Sequence, residues 1–77
     1  MNDYPPQVVR LANEIADTLN DRGSLQLFLH FAEKYKEEHL MKILEKVMSI
    51  PERKIKKTRG ALFTFLVSQY ENDNSRG

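Results

Sequence analysis

The chain has 77 residues, no cysteine, 12 Lys/Arg against 11 Asp/Glu and a net charge of +1. That length excludes more than one domain and gives a core burying only about 60% of the unfolded surface. The lack of cysteine excludes disulfides and thiolate metal sites.

The opening residues MNDYPPQ have no apolar stretch behind a basic start, so no secretory leader is expected. The longest nearly apolar run, residues 61–67, is far too short to span a bilayer. A cytoplasmic setting is expected. The distribution of charge says more than its sum. Residues 1–50 carry six Lys/Arg and eight Asp/Glu, or −2. Residues 51–60 carry five against Glu52 alone, or +4, and residues 61–77 return −1.

Asp3-Tyr4-Pro5-Pro6 reads as a helix start, because a first-turn proline gives up an N–H that has no intrahelical partner. Val8, Val9, Leu11, Ala12, Ile15, Ala16 and Leu19 then share one face, opposite Arg10, Asn13, Glu14, Asp17, Asn20 and Asp21. Gly23 suits a left-handed C-terminal position, and Ser24 suits the N-cap of a second helix. That helix has Leu25, Phe28, Leu29, Phe31, Ala32 and Tyr35 as its stripe.

Neither glycine nor proline separates it from the next apolar segment. However, Leu40, Ile43, Leu44, Val47 and Met48 lie on an arc rotated by more than a right angle. A straight helix would have to bury two faces, so a break is expected near residues 34–37. Glu37 and Glu38 then complement the dipole of a third helix, which Pro51 ends. In the basic connector, Ile55 is the one apolar residue and is expected to anchor it to the core. Thr58 is the expected N-cap of a fourth helix. There Leu62, Phe63, Phe65, Leu66, Val67 and Tyr70 cover roughly 200°, wider than the usual stripe.

The expected fold is all-α, a small four-helix bundle-like orthogonal domain. Its helices fall at about 5–21, 24–35, 37–49 and 58–71, in a single domain 1–71 with a flexible tail 72–77.

Catalysis has little to work with. No G-x-S-x-G elbow surrounds Ser24 or Ser68, and the only imidazoles, His30 and His39, are nine positions apart. Neither the i, i+4 pair nor the H-E-x-x-H pattern of a metal site is present. No enzyme activity, cofactor, metal or small-molecule substrate is expected. The strongest signal is the run Arg53-Lys54-x-Lys56-Lys57-x-Arg59, whose mutual repulsion a polyanion would relieve. No aromatic is interleaved with it, so backbone contact without base stacking is expected. Gly60 comes next in the chain. It either lets a phosphate approach the N-terminus of helix four or relieves crowding against a neighbouring element. A competing reading is a protein-interaction module or homodimer that uses the apolar face of helix four, with Leu62 and Phe65 exposed and Val9 and Leu27 as lesser candidates.

One resemblance spans residues 28–70. An apolar helix ends in Glu33-Lys34-Tyr35, a second opens Glu37-Glu38, and after a polar link comes Leu62-Phe63-Thr64-Phe65-Leu66-Val67-Ser68-Gln69-Tyr70. This order resembles the C-terminal helical module of DnaD-like primosomal and phage replication proteins. Leu66-Val67 stand where that family has Ile-Leu, while Leu62 replaces its Tyr and Tyr70 its Trp. The resemblance implies a DNA-binding accessory of bacterial or phage replication, without catalysis.

Overall fold

The computed structural model describes residues 4–75, with side chains to residue 70. Four α-helices form where the apolar faces lie: α1 (Pro6–Leu19), α2 (Leu25–Lys34), α3 (Glu37–Ser49) and α4 (Arg59–Ser75). One-turn 3-10 segments lie at Arg22–Ser24 and Glu52–Lys54. The described residues contain no strand, and no helix among them is long and apolar enough to cross a membrane. Helix four runs past its expected end, so residues 72–75 are helical where a tail was expected. Residues 76–77 of that tail lie outside the described residues.

The break between α2 and α3 is where the change of face requires it. Tyr35 (φ −111°, ψ 157°) and Lys36 (φ −68°, ψ 144°) are both extended. Two extended residues rotate the chain so that Phe28, Leu29, Phe31 and Ala32 of α2 and Leu40, Leu44 and Val47 of α3 all reach one core. Leu11, Ala12, Ile15, Ala16 and Leu19 of α1 and Phe63 and Val67 of α4 complete it. The packing is chiefly α1 on α2 and α3 on α4, with α1 also touching α3 and α4. Helices α3 and α4 are antiparallel. The first residue of α4, Arg59, bonds to the end of α3, and Tyr70 on α4 meets His39 at the start of α3.

Two expected caps are corrected. Gly23 has no positive φ, and it is Asn20 (φ 55°, ψ 45°) that turns left-handed after α1. The Asn20 N–H donates to the Asp17 carbonyl (3.2 Å) and the Asp21 N–H to the Ala16 carbonyl (2.9 Å), the paired bonds of a Schellman motif. Asparagine enters this region more cheaply than other residues with a Cβ, apart from Asp and His. Ser24 lies in the 3-10 turn and makes no side-chain cap. By contrast, Thr58 caps α4 as expected, its Oγ1 accepting the Ala61 N–H at 3.0 Å. Replacing Asn20 with Val is therefore expected to cost about 1–2 kcal/mol, while Asn20→Gly stays near neutral. Thermal melts of the two variants check this, and equal midpoints would refute the left-handed assignment.

Candidate nucleic-acid interface

The connector between α3 and α4 crosses nine residues, 50–58, and its geometry is set at both ends. Ile50 is extended ahead of Pro51, and its N–H reaches the Val47 carbonyl. At the other end Arg59 is half-buried. Its guanidinium donates to the carbonyls of Val47 (2.7 Å) and Ile50 (3.0 Å). These oxygens lie at the C-terminal end of α3, where helical carbonyls lack partners and the dipole favours a cation.

Arg59 is thus the clamp that closes the connector, and it is not a free cation for a ligand. Ile55, expected as the anchor, is half-buried and lines surface grooves outside the core cluster. Arg59→Ala should cost about 2 kcal/mol, the scale of charge-assisted bonds to buried carbonyls. Both bonds leave one nitrogen, Nη1, so Arg59→Lys keeps the charge and the donors and should recover part of the loss through a side chain one bond shorter. Urea titration measures both, and Arg59→Ala as stable as the parent would refute the two-carbonyl clamp.

Gly60 is buried. A Cβ there would overlap the Asp21 carboxylate oxygen and lie 3.0 Å from the Asp21 Cγ and 3.2 Å from its Cβ. Of the two readings of this glycine, the geometry favours relief of crowding. The neighbour is the turn between α1 and α2, whose own carboxylate already sits at the first turn of α4. That is the end of a helix where negative charge is favoured. An incoming phosphate would meet like charge there, which removes Gly60 from the candidate contacts.

The remaining cations of the run stay at the surface. Arg53, Lys54, Lys56 and Lys57 are all exposed, and among the described residues none has a carboxylate partner. An ion pair of Arg22 with Asp17 lies on the α1 side. Lys54, Lys56 and Lys57 border an open groove of about 440 Å³ completed by Ile55, Thr58, Ala61, Leu62 and Phe65. Among the described residues no acidic one lines it. Phe65 is 59% exposed, the most exposed large apolar side chain among the described residues, while Leu62 is half-buried against the core. Val9 and Leu27 are exposed at 40% and 37%, and neither lines this groove.

The sequence alone missed this conjunction. No aromatic interrupts the basic run, yet the Thr58 cap starts α4 so that Ala61, Leu62 and Phe65 share the helix face beside the connector. Helical spacing counted forward from Thr58 would have found it. His30 is exposed. His39 is instead half-buried, its ring centroid 3.7 Å from that of Tyr70. No cluster of three or more His, Asp or Glu that could hold a metal is present among the described residues. Comparison with protein-family models, curated proteins and solved structures finds no match.

Proposed function

We propose that this domain is a non-enzymatic nucleic-acid-binding accessory that holds the backbone through Lys54, Lys56 and Lys57 and stacks an unpaired base on Phe65. The observation that carries this reading is the exposed Phe65 ring in a groove bordered by three unneutralised lysines and no carboxylate. Cations beside an aromatic platform are the two elements of sequence-tolerant single-strand binding. Arg53, exposed and next in the chain to Lys54, extends the positive field. The resemblance of residues 28–70 to DnaD-like modules supports DNA as the polyanion, and a role beside bacterial or phage replication.

The test is fluorescence anisotropy with labelled single- and double-stranded DNA over a series of salt concentrations. The comparison variant changes Lys54, Lys56 and Lys57 to Ala and leaves the structural Arg59 in place. Loss of three phosphate contacts should make the slope of log affinity against log salt shallower by about 2 to 3. Binding that ignores these substitutions, or no binding at low salt, would refute the reading.

A second reading rests on the same ring. An exposed Phe beside a half-buried Leu62 is also what a homodimer through the α4 face would need. Sedimentation equilibrium separates the two. A dimer that Phe65→Ser dissociates, in a protein that ignores DNA, supports the interaction module.

A further inference from the structure

A second groove of about 240 Å³ lies between α3 and α4, lined by His39, Lys42, Ile43, Lys46, Leu66, Gln69 and Tyr70. Its floor is apolar, with Ile43 from α3 and Leu66 from α4 both half-buried at the core margin. Its rim is cationic. Lys42 and Lys46 are exposed at i and i+4 on α3, so their Cα atoms are about 6 Å apart along the helix axis. Among the described residues no carboxylate lines it. On α3, Glu45 lines a neighbouring hollow with Thr18, Met41, Leu44 and Met48, which Lys42 also borders, and Glu38 lines the hollow beyond His39 and Tyr70.

The occupant that fits is a helix. Two antiparallel helices present a trough into which the ridge of a third can lie. An apolar floor flanked by a charged row is how amphipathic helices are received. The row of Lys42 and Lys46 matches carboxylates spaced i, i+4 on such a helix, at the same rise of about 6 Å. A nucleic-acid strand fits less well here, because Tyr70 and His39 are already in contact with each other and leave no ring as exposed as Phe65. We infer that the α3–α4 groove docks an acidic amphipathic helix of a protein partner, its leucine-type anchors on Ile43 and Leu66 and its carboxylates on Lys42 and Lys46. This surface is separate from the Phe65 groove, and the inference stands whether or not that groove binds nucleic acid.

The probe is a fluorescein-labelled designed peptide of about 14 residues, a typical helix length. It carries Leu at i, i+3, i+4 and i+7 with Glu on both flanks, and its counterpart has Lys in place of every Glu. Anisotropy of the full chain with each peptide is measured beside amide chemical shifts. The acidic peptide should bind and shift Ile43 and Leu66, while the basic one should not. The double variant Lys42→Glu and Lys46→Glu should weaken the acidic peptide at least about tenfold and gain affinity for the basic one. Both lysines are exposed but Lys46 lies in the last turn of α3, so the swap should lower the melting midpoint through the dipole and like-charge pairs and keep a cooperative melt. Equal binding of both peptides, an acidic peptide that does not bind, or charge reversal without effect each overturns the inference. So does labelled DNA that moves the same two resonances and displaces the peptide, since the groove would then belong to the nucleic-acid track.

Discussion

Phe63→Ala should remove most of the stability of this domain, whereas Phe65→Ala, two residues along the same helix, should leave it intact. Phe63 is fully buried. Its ring meets Phe28 edge-on at 5.7 Å with an interplanar angle of 85°, and Phe31 at 6.3 Å. Both partners belong to α2, so this side chain joins the second helical hairpin to the first. Truncation loses the transfer energy of the ring, its edge-to-face contacts and the packing around the void, about 3–5 kcal/mol in all. A domain of 77 residues has about 4–11 kcal/mol to lose.

Thermal denaturation followed by circular dichroism should therefore show a midpoint lowered by about 15–30 °C, or no cooperative transition. Phe65 has no such neighbours, and its truncation should stay within about 0.5 kcal/mol. The same Phe65 variant should bind single-stranded DNA about tenfold or more weakly, with duplex binding little changed, because stacking needs an unpaired base. A Phe65→Ala protein that melts far below the parent would place that ring in the core, against its exposure.

How much of this can be read from the residues differs from element to element, and the reasons are physical. The break at Tyr35 and Lys36 is legible without any glycine or proline, because a helix cannot bury two faces more than a right angle apart. The Thr58 cap is legible from local chemistry alone. Asn20 is not, since Gly23 is the intrinsically better left-handed residue and only the packing of α1 decides which residue turns first. Charge in a sequence carries no direction, so Arg59 reads there as one more cation for a ligand. Its partners, the carbonyls of Val47 and Ile50, are backbone atoms that no composition reveals. Phe65 is visible as the edge of a wide apolar arc, but its place beside Lys54, Lys56 and Lys57 appears only once the connector folds back along α4. The two rival sites, basic connector and apolar face, thus meet in one groove.

Gly60→Ala is the case where local propensity and packing give opposite signs. Alanine in a helix is better than glycine by up to about 1 kcal/mol, so propensity alone makes the variant more stable. The new methyl, however, would overlap the Asp21 carboxylate oxygen and crowd the Asp21 Cγ at 3.0 Å and Cβ at 3.2 Å. Rotation about the Asp21 Cα–Cβ bond carries the oxygens and Cγ away, but the Cβ stays, so the Asp21 backbone must still give by a few tenths of an ångström. That backbone is held by its N–H bond to Ala16, 2.9 Å long. Overpacking of this kind costs about 1–3 kcal/mol, so packing offsets or outweighs the propensity gain, with a net loss of up to about 2 kcal/mol. Asp21→Ala removes the oxygens and Cγ, so the double variant should recover most of the loss, with a coupling above about 0.5 kcal/mol. The same substitution bears on binding, because it takes a negative charge from the first turn of α4, the helix that follows the three lysines in the chain. Single-strand affinity at low salt should rise modestly in Asp21→Ala, and the gain should fade as salt screens the field. If instead Gly60→Ala stabilises the fold and adds independently to Asp21→Ala, the two residues do not touch. The first turn of α4 would then be open to a phosphate after all.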